Sequence, residues 1–444
     1  MLKTLRNAWA IPELRKKILF TFFIILIFRI GAAVPVPFLN LQALKNVVGS
    51  AVGNGGTLLS YLNTLSGGAF ENATLFAMSV TPYINSSIIM QLLAVAIPAL
   101  ERLSKEGEEG RKKIAQITRY VTVLLGLIQG FAYYMFLRNS SDEYGNRIIA
   151  DRGTGTNIYV GFVIVLTFTA GSALMMWLGE QINQKGIGNG ISMLLFAGIV
   201  SRGPTAFYRL WYYLQAGING ETKYLIFIPI IVIVFLASVG FIVFMNNAER
   251  RIPVQYAKRV VGRKMYGGQS THIPIKVNMS GVLPIIFASS IMSIPATIGT
   301  FIYGTKGGSG FWYKALFFLQ NHQLIYALIY FVLIIAFAYF YVTIQYNPVE
   351  MANNLRKNSG TVPGIRPGKS TSDYIQKIIS RITLIGALFL SVIAIVPIIL
   401  SSTIEGLNIG MSGTSIIILV GVALETVQAI ESQMLMRHYK GFLD

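Results

Sequence analysis

The chain has 444 residues, 53% of them hydrophobic and only 12% charged, with a mean hydropathy of +0.58. One water-soluble core cannot bury that much apolar surface, so the composition excludes a soluble globular enzyme and implies a chain that crosses a membrane many times. The formal net charge is +19 and cysteine is absent, which rules out disulfides, thiolate metal sites and a cysteine nucleophile.

In chain order, about ten apolar segments of ~20 residues read as spans. They lie near 18–37, 74–98, 114–137, 157–181, 190–215, 223–246, 280–303, 324–346, 375–400 and 412–434. None alternates with period two, as barrel strands would. The first follows Arg15, Lys16 and Lys17 and resembles a signal peptide. However, Arg29 interrupts it and "VPVPF" stands where a small-residue cleavage site would be, so it reads as an uncleaved span.

Three spans are weak: the second carries Pro82, the fifth Gly198, Gly203 and Pro204, and the seventh Pro284 and Pro295. Backbone breaks at membrane depth are tolerated only against protein or a water-filled cavity, so these three are expected to line something. Ahead of the second span, residues 57–71 are too short to cross, and Gly67 and Gly68 weaken helix continuity there. A helix is expected from Thr74, with a mobile stretch giving way to a fixed wall near Ala73. Val80, Ile84 and Ile88 then share one face at four-residue spacing, and Ile187 and Ile191 repeat that spacing beside Asn189 and Ser192. Ordinary helix packing is one reading of this pattern. A hydrophobic gate in a water-filled pore is the other.

Basic residues gather on one side: the amino terminus, the loop around Arg102 to Lys113, the loops 247–279 and 347–373, and the tail with Arg437 and Lys440. By the positive-inside rule that side is cytosolic, with both termini there. In loop 247–279, "RIPVQYAKR" and "THIPIKVN" show partial period-two alternation, which reads as a protruding hairpin. Loop 353–371 ends in a tip stiffened by Pro and Gly that presents Arg366. Clustered Arg and Lys suit docking of an anionic or RNA-containing partner. Attraction to anionic phospholipids is the plainer alternative. Five spans followed by five, with a weak one early in each half, suits an inverted repeat with halves 1–215 and 216–444.

Catalytic chemistry is not expected. His272, His322 and His438 are far apart with no metal-ligand spacing, and "KGIGNG" has no strand before it to make a phosphate loop. No cofactor or metal is expected either. The ionisable residues inside spans, Arg29, Arg119, Glu180, Arg381 and Glu425, form no acidic chain, which weighs against an ion-coupled transporter. A secondary transporter built on inverted repeats is the alternative reading.

The segments "SGGAFENATLFAMSVTPYINSSIIMQLL", "GEQINQKGIGNGIS", "RRIPVQYAKR", "STHIPIKVNMSGVLPIIFASSI", "PVEMANNLRKNSG", "VPGIRPGKST" and "SGTSIIILVGVALE" resemble the SecY family, channel subunits of the bacterial protein translocase. The resemblance implies an all-α polytopic membrane protein, with ten transmembrane helices in two pseudo-symmetric five-helix halves forming a clamshell around a central pore. By motif, the pore ring would be Val80, Ile84, Ile187, Ile191, Ile286 and Ile418, and the plug would lie at about 57–71 with Ser66, Gly67 and Gly68. The lateral gate, between the second and seventh spans, would include Ile88, Gln91 and Ser289. Arg259, Arg263, Lys264 and Arg366 would dock the ribosome and the motor SecA. SecE and SecG would complete a heterotrimer in the bacterial plasma membrane, through which a polypeptide with its signal sequence passes.

Overall fold

A backbone in lipid must satisfy its own N–H and C=O groups, so apolar segments of this length fold as helices. The computed structural model describes residues 2–53, 63, 66–140, 146–149, 154–219, 222–256, 259–261, 264–266, 270–292, 323–403 and 413–440. The helices are α1 (Leu2–Ala10), α2 (Pro12–Gly31), α3 (Leu41–Gly53), α4 (Thr81–Ala96), α5 (Pro98–Lys105), α6 (Glu108–Asn139), α7 (Thr154–Lys185), α8 (Gly190–Val200), α9 (Gly203–Ile218) and α10 (Thr222–Asn247). After the strands come α11 (Leu283–Met292), α12 (Gln323–Gln345), α13 (Pro348–Lys357), α14 (Lys369–Thr403) and α15 (Gly413–Lys440). Among the described residues, seven helical stretches are long and apolar enough to cross a membrane, and the bent pair α4–α5 makes up to eight. Two more helices fall at expected spans without meeting that measure: α2, which carries Arg15, Lys16, Lys17 and Arg29, and α11, which is described only to Met292.

The weak spans are weak for a different reason from the one the prolines suggest. Pro82 sits in the first turn of α4 and Pro204 in the first turn of α9. Pro284 likewise follows the first residue of α11. Proline is at home in a first turn, where its missing N–H has no partner to lose. The second span therefore starts as helix at Thr81, not Thr74. Residues 66–80 run as successive turns, and Ala73 (φ 40°) and Ser79 (φ 51°) adopt left-handed backbone that no α-helix can continue through. At the other end Pro98 biases the residue before it to extended backbone, with Ile97 at φ −108° and ψ 114°. The chain bends 102° there into α5. The fifth span breaks between α8 and α9, leaving Ser201 and Arg202 at the junction.

The loop expected to form a hairpin does so. Strand β1 (Glu249–Tyr256) pairs antiparallel with β4 (Ser270–Lys276), and the short strands β2 (Arg259–Val261) and β3 (Lys264–Tyr266) pair with each other. Less expected is that β1 also pairs with β5 (Gly360–Thr361), through Gln255 with Thr361 and Tyr256 with Gly360. The two basic loops are thereby joined in one sheet ordered β4-β1-β5. Val254 and Ile275 on this sheet pack with Leu355, Val362, Ile375 and Ile379.

Close helix approaches depend on glycine. A Cβ on Gly190 would lie 1.9 Å from the Gly179 carbonyl oxygen, whereas one on Gly240 would meet nothing within 4 Å. Gly190→Ala must push α8 off α7 and should destabilise the fold by ~1–3 kcal/mol, the usual cost of overpacking. Gly240→Ala should leave thermal unfolding of the purified protein in detergent unchanged.

Candidate functional site

The helices that break or start at membrane depth meet in one apolar cluster. Val80, Ile84 and Ile88 enter it from the start of α4, Leu194, Leu195 and Ile199 from α8, Ile285, Ile286 and Ala288 from α11, and Ile416, Ile417 and Ile418 from α15. Ile191 packs against it, partly buried. Elements from both halves of the chain thus converge on the same side chains. Val80 is the N-cap of α4 and Ile84 donates its backbone N–H to the Val80 carbonyl at 3.0 Å, so the two stand one turn apart on the wall of the cluster. Five of the six ring positions, Val80, Ile84, Ile191, Ile286 and Ile418, are gathered here.

Ile187 is not. It packs in a separate cluster with Ala8, Leu14 and Ile430. The reason is local. Asn189 caps α8, its side chain accepting from the N–H groups of Ile191 and Ser192, and Gly188 (φ 77°) turns the chain just before it. Four-residue spacing puts two residues on one face only inside a helix, and Ile187 lies outside. Its N–H is instead taken by Thr21 Oγ1 at 3.1 Å. The residue that shares a helical face with Ile191 at that spacing is Leu195, which is buried in the main cluster. The signal for it was present: an Asn cap at 189 starts the helical count after Ile187.

The proposed gate residues divide in character. Ile88 is buried in the cluster, Ser289 on α11 donates to the Ile286 carbonyl at 2.9 Å, and Gln91 donates to Ser87 Oγ on its own helix at 3.3 Å. Ser86 on α4 donates to the Thr118 carbonyl at 2.8 Å and pins the gate helix to α6. Behind α4, Arg119 and Glu180 form an ion pair at 2.8 Å, so two of the charges within spans satisfy each other.

Of the expected plug, residues 57–62, 64 and 65 lie outside the described residues. Its carboxyl-terminal end is closely held rather than loose. Ser66 is fully buried, donates to the Asn63 carbonyl at 3.2 Å and accepts from the Phe70 N–H at 3.0 Å. Gly67 (φ 64°) and Gly68 (φ 88°) take backbone that a side chain would strain, and a Cβ on Gly67 would come within 2.9 Å of the Gly198 carbonyl oxygen on α8. The described turns from Ser66 onward pack on the helices around them.

Between β1 and β4, Arg259 and Lys264 occupy opposite strands of the separate β2–β3 ribbon, and Arg263 lies outside the described residues. Arg366 is exposed between Gly364 and Gly368, both at positive φ, and its carbonyl accepts from Thr371 Oγ1 at 2.9 Å. Among the described residues no group of three His, Asp or Glu side chains is placed to hold a metal ion.

A family model described as SecY matches residues 74–427. Over 446 residues the chain is 44% identical to the protein translocase subunit SecY of Streptomyces coelicolor, covering 100% of both chains. The chain belongs to the SecY family. A second family member, the protein translocase subunit SecY of Thermotoga maritima, is 43% identical over 448 residues, covering 100% of this chain and 98% of that one. The fold agrees with solved structures of distant sequence. A protein-conducting channel superposes with a TM-score of 0.67 at 18% identity, over 95% of this chain and 92% of that one. The Sec61 chain of a canine ribosome–channel complex from the endoplasmic reticulum superposes with a TM-score of 0.61 at 16% identity, over the same 95% and 92%. A further SecY structure, one whose plug domain stabilises the closed state and maintains a membrane seal, superposes with a TM-score of 0.66 at 16% identity, covering 95% and 92%. Membership in the SecY family sets aside the secondary-transporter alternative.

Proposed function

We infer that this SecY-family translocation channel passes unfolded secretory polypeptides across the bacterial plasma membrane and releases apolar segments sideways into the bilayer. The observation that carries the reading is that α4, α8, α11 and α15, elements drawn from both halves, bring their apolar side chains into one buried cluster, which α2, α7, α10, α12 and α14 surround and share. An apolar constriction between aqueous funnels dewets, so it opposes ion flow without a charged filter. A chain in transit can part such a cluster because its contacts are non-directional, and the side chains close again once it has left. The ring is Val80, Ile84, Ile191, Leu195, Ile286 and Ile418, with Leu195 taking the place first given to Ile187.

Lateral release needs α4 and α11 to separate. Both begin near the cluster, and sufficiently apolar segments prefer lipid once exposed to it. The segment 57–71 serves as plug, anchored at its Ser66 end. The basic tips at Arg259, Arg263, Lys264 and Arg366 dock the motor SecA and the ribosome, with SecE and SecG completing the complex and anionic phospholipids around it. The chain itself catalyses no reaction; motor, ribosome or membrane potential supplies the driving energy.

Ion flux through liposomes holding the assembled channel tests the ring. Ile418→Asn or Leu195→Asn should raise resting flux several-fold, while Ile187→Asn should lower thermal stability and leave flux at the wild-type level. Equal leakage from all three would overturn the assignment. Arg366→Glu should cut motor-driven export into membrane vesicles by about tenfold, equivalent to about 1.4 kcal/mol of docking free energy, with the membrane fold intact by thermal unfolding. Because the chain has no cysteine, a Gln91→Cys, Ser289→Cys pair would hold the only two thiols. Crosslinking it should stop export and reduction should restore it.

A further inference from the structure

The ring, the gate and the docking tips leave one charged cluster without a role. At the root of the plug segment the Glu71 carboxylate meets the Arg202 guanidinium at 3.0 Å, and the same oxygen accepts from Asn63 Nδ2 at 2.8 Å. Asn63 binds Glu71 a second time, its Oδ1 accepting from the Glu71 N–H at 3.2 Å. Asn63 and Glu71 are thus locked to each other, and Arg202 holds the pair from outside. The side chains of Arg202 and Glu71 are only 22% and 32% exposed, so water competes weakly for this contact.

Arg202 stands where the fifth span breaks, between α8 and α9. Helix α8 also carries Ile191 and Leu195 of the ring. The guanidinium is therefore fixed to the element that must move when a polypeptide parts the cluster. The turn lies close against α8 beside this contact: a Cβ on Gly67 would come within 2.9 Å of the Gly198 carbonyl oxygen, and Gly68 (φ 88°) takes backbone that a side chain would strain. Two further tethers among the described residues reach backbone oxygens, which water can satisfy equally well. Arg29 of α2 donates to the Gly67 carbonyl at 3.3 Å and Tyr133 of α6 to the Phe70 carbonyl at 3.0 Å. Among these tethers Glu71–Arg202 is the one between two charges, and the one whose loss leaves two partly buried charged groups without their counter-charge.

We propose that Arg202 is a positioning residue that latches the root of the plug segment through Glu71, so that displacement of α8 by a polypeptide in the ring loosens the root, and the closed state is restored when the pair re-forms. The proposal rests on the reading of residues 57–71 as the plug. It adds to that reading the residue that ties the plug to the ring and the direction of coupling between them.

The test is resting ion flux through liposomes containing the full complex, with thermal unfolding measured on the same preparations. Glu71→Gln and Arg202→Gln should each raise resting flux by about tenfold, the scale of one partly buried charge pair. The double variant should leak no more than either single one, because the two act on a single interaction. Arg202→Lys, which keeps the charge, should recover most of the seal. A merely structural role would lower the unfolding midpoint in step with the leak and would not be rescued by Lys. Tight single variants, or additive leakage in the double one, overturn the latch. Deletion of residues 57–65 in the same assay separates the two readings. If the deletion leaks and the single variants do not, the latch alone falls; if the deletion is as tight as wild type, the plug reading and the latch fall together.

Discussion

The structure depends on one constraint: a backbone that stops being helical inside a membrane must find its hydrogen-bond partners in protein. Three apolar segments of this chain stop or start their helices at Thr81, at Ser201–Arg202 and at Leu283, and the side chains that follow these points pack in one apolar cluster. The turns that precede α4 show how the requirement is met. Val36 donates its N–H to the Ala73 carbonyl, Leu75 to the Val34 carbonyl, and Tyr133 reaches across from α6 to Phe70. Helices that cannot satisfy themselves are drawn together, and the apolar side chains beside their ends form the central cluster.

That arrangement explains why the closure is made of isoleucine, leucine and valine and not of charge. A ring of ionisable groups would need its own partners at depth, as Arg119 and Glu180 need each other. An apolar ring needs none, and it can open around many different side chains because dispersion and hydrophobic contact carry little directional preference. The charges are moved to where geometry can hold them: the Glu71–Arg202 pair at one end and the basic strands at the other.

Much of this was legible in the sequence, and what was not has identifiable physical causes. Span positions followed from hydropathy, and the β1–β4 hairpin followed from period-two alternation flanking a glycine-rich turn region. Of the six positions expected to form a ring, five pack in or against one apolar cluster and Ile187 packs in another, because four-residue spacing was carried across the helix cap at Asn189. Pro82 and Pro204 read as helix breakers in the interior, but the chain begins its helices at them, and only backbone angles such as Ser79 φ 51° reveal where the helix can start. The Glu71–Arg202 contact joins residues 131 apart, and no local pattern encodes it. The pairing of β1 with a two-residue strand at Gly360–Thr361 was similarly invisible, since so short a strand has no periodicity to detect.

That short strand has a mechanical consequence. Because β1 lies between β4 and β5, a load applied to either basic loop is carried by the same sheet. The sheet has a stiff exit: β4 ends at Lys276, the Val277 N–H is held by the Ala248 carbonyl at 2.9 Å, and α11 begins at Leu283. Within that connection Gly281 (φ 61°) takes left-handed backbone that favours glycine. The sheet shared by the two basic loops is therefore tied to α11 by a link of only residues 277–282.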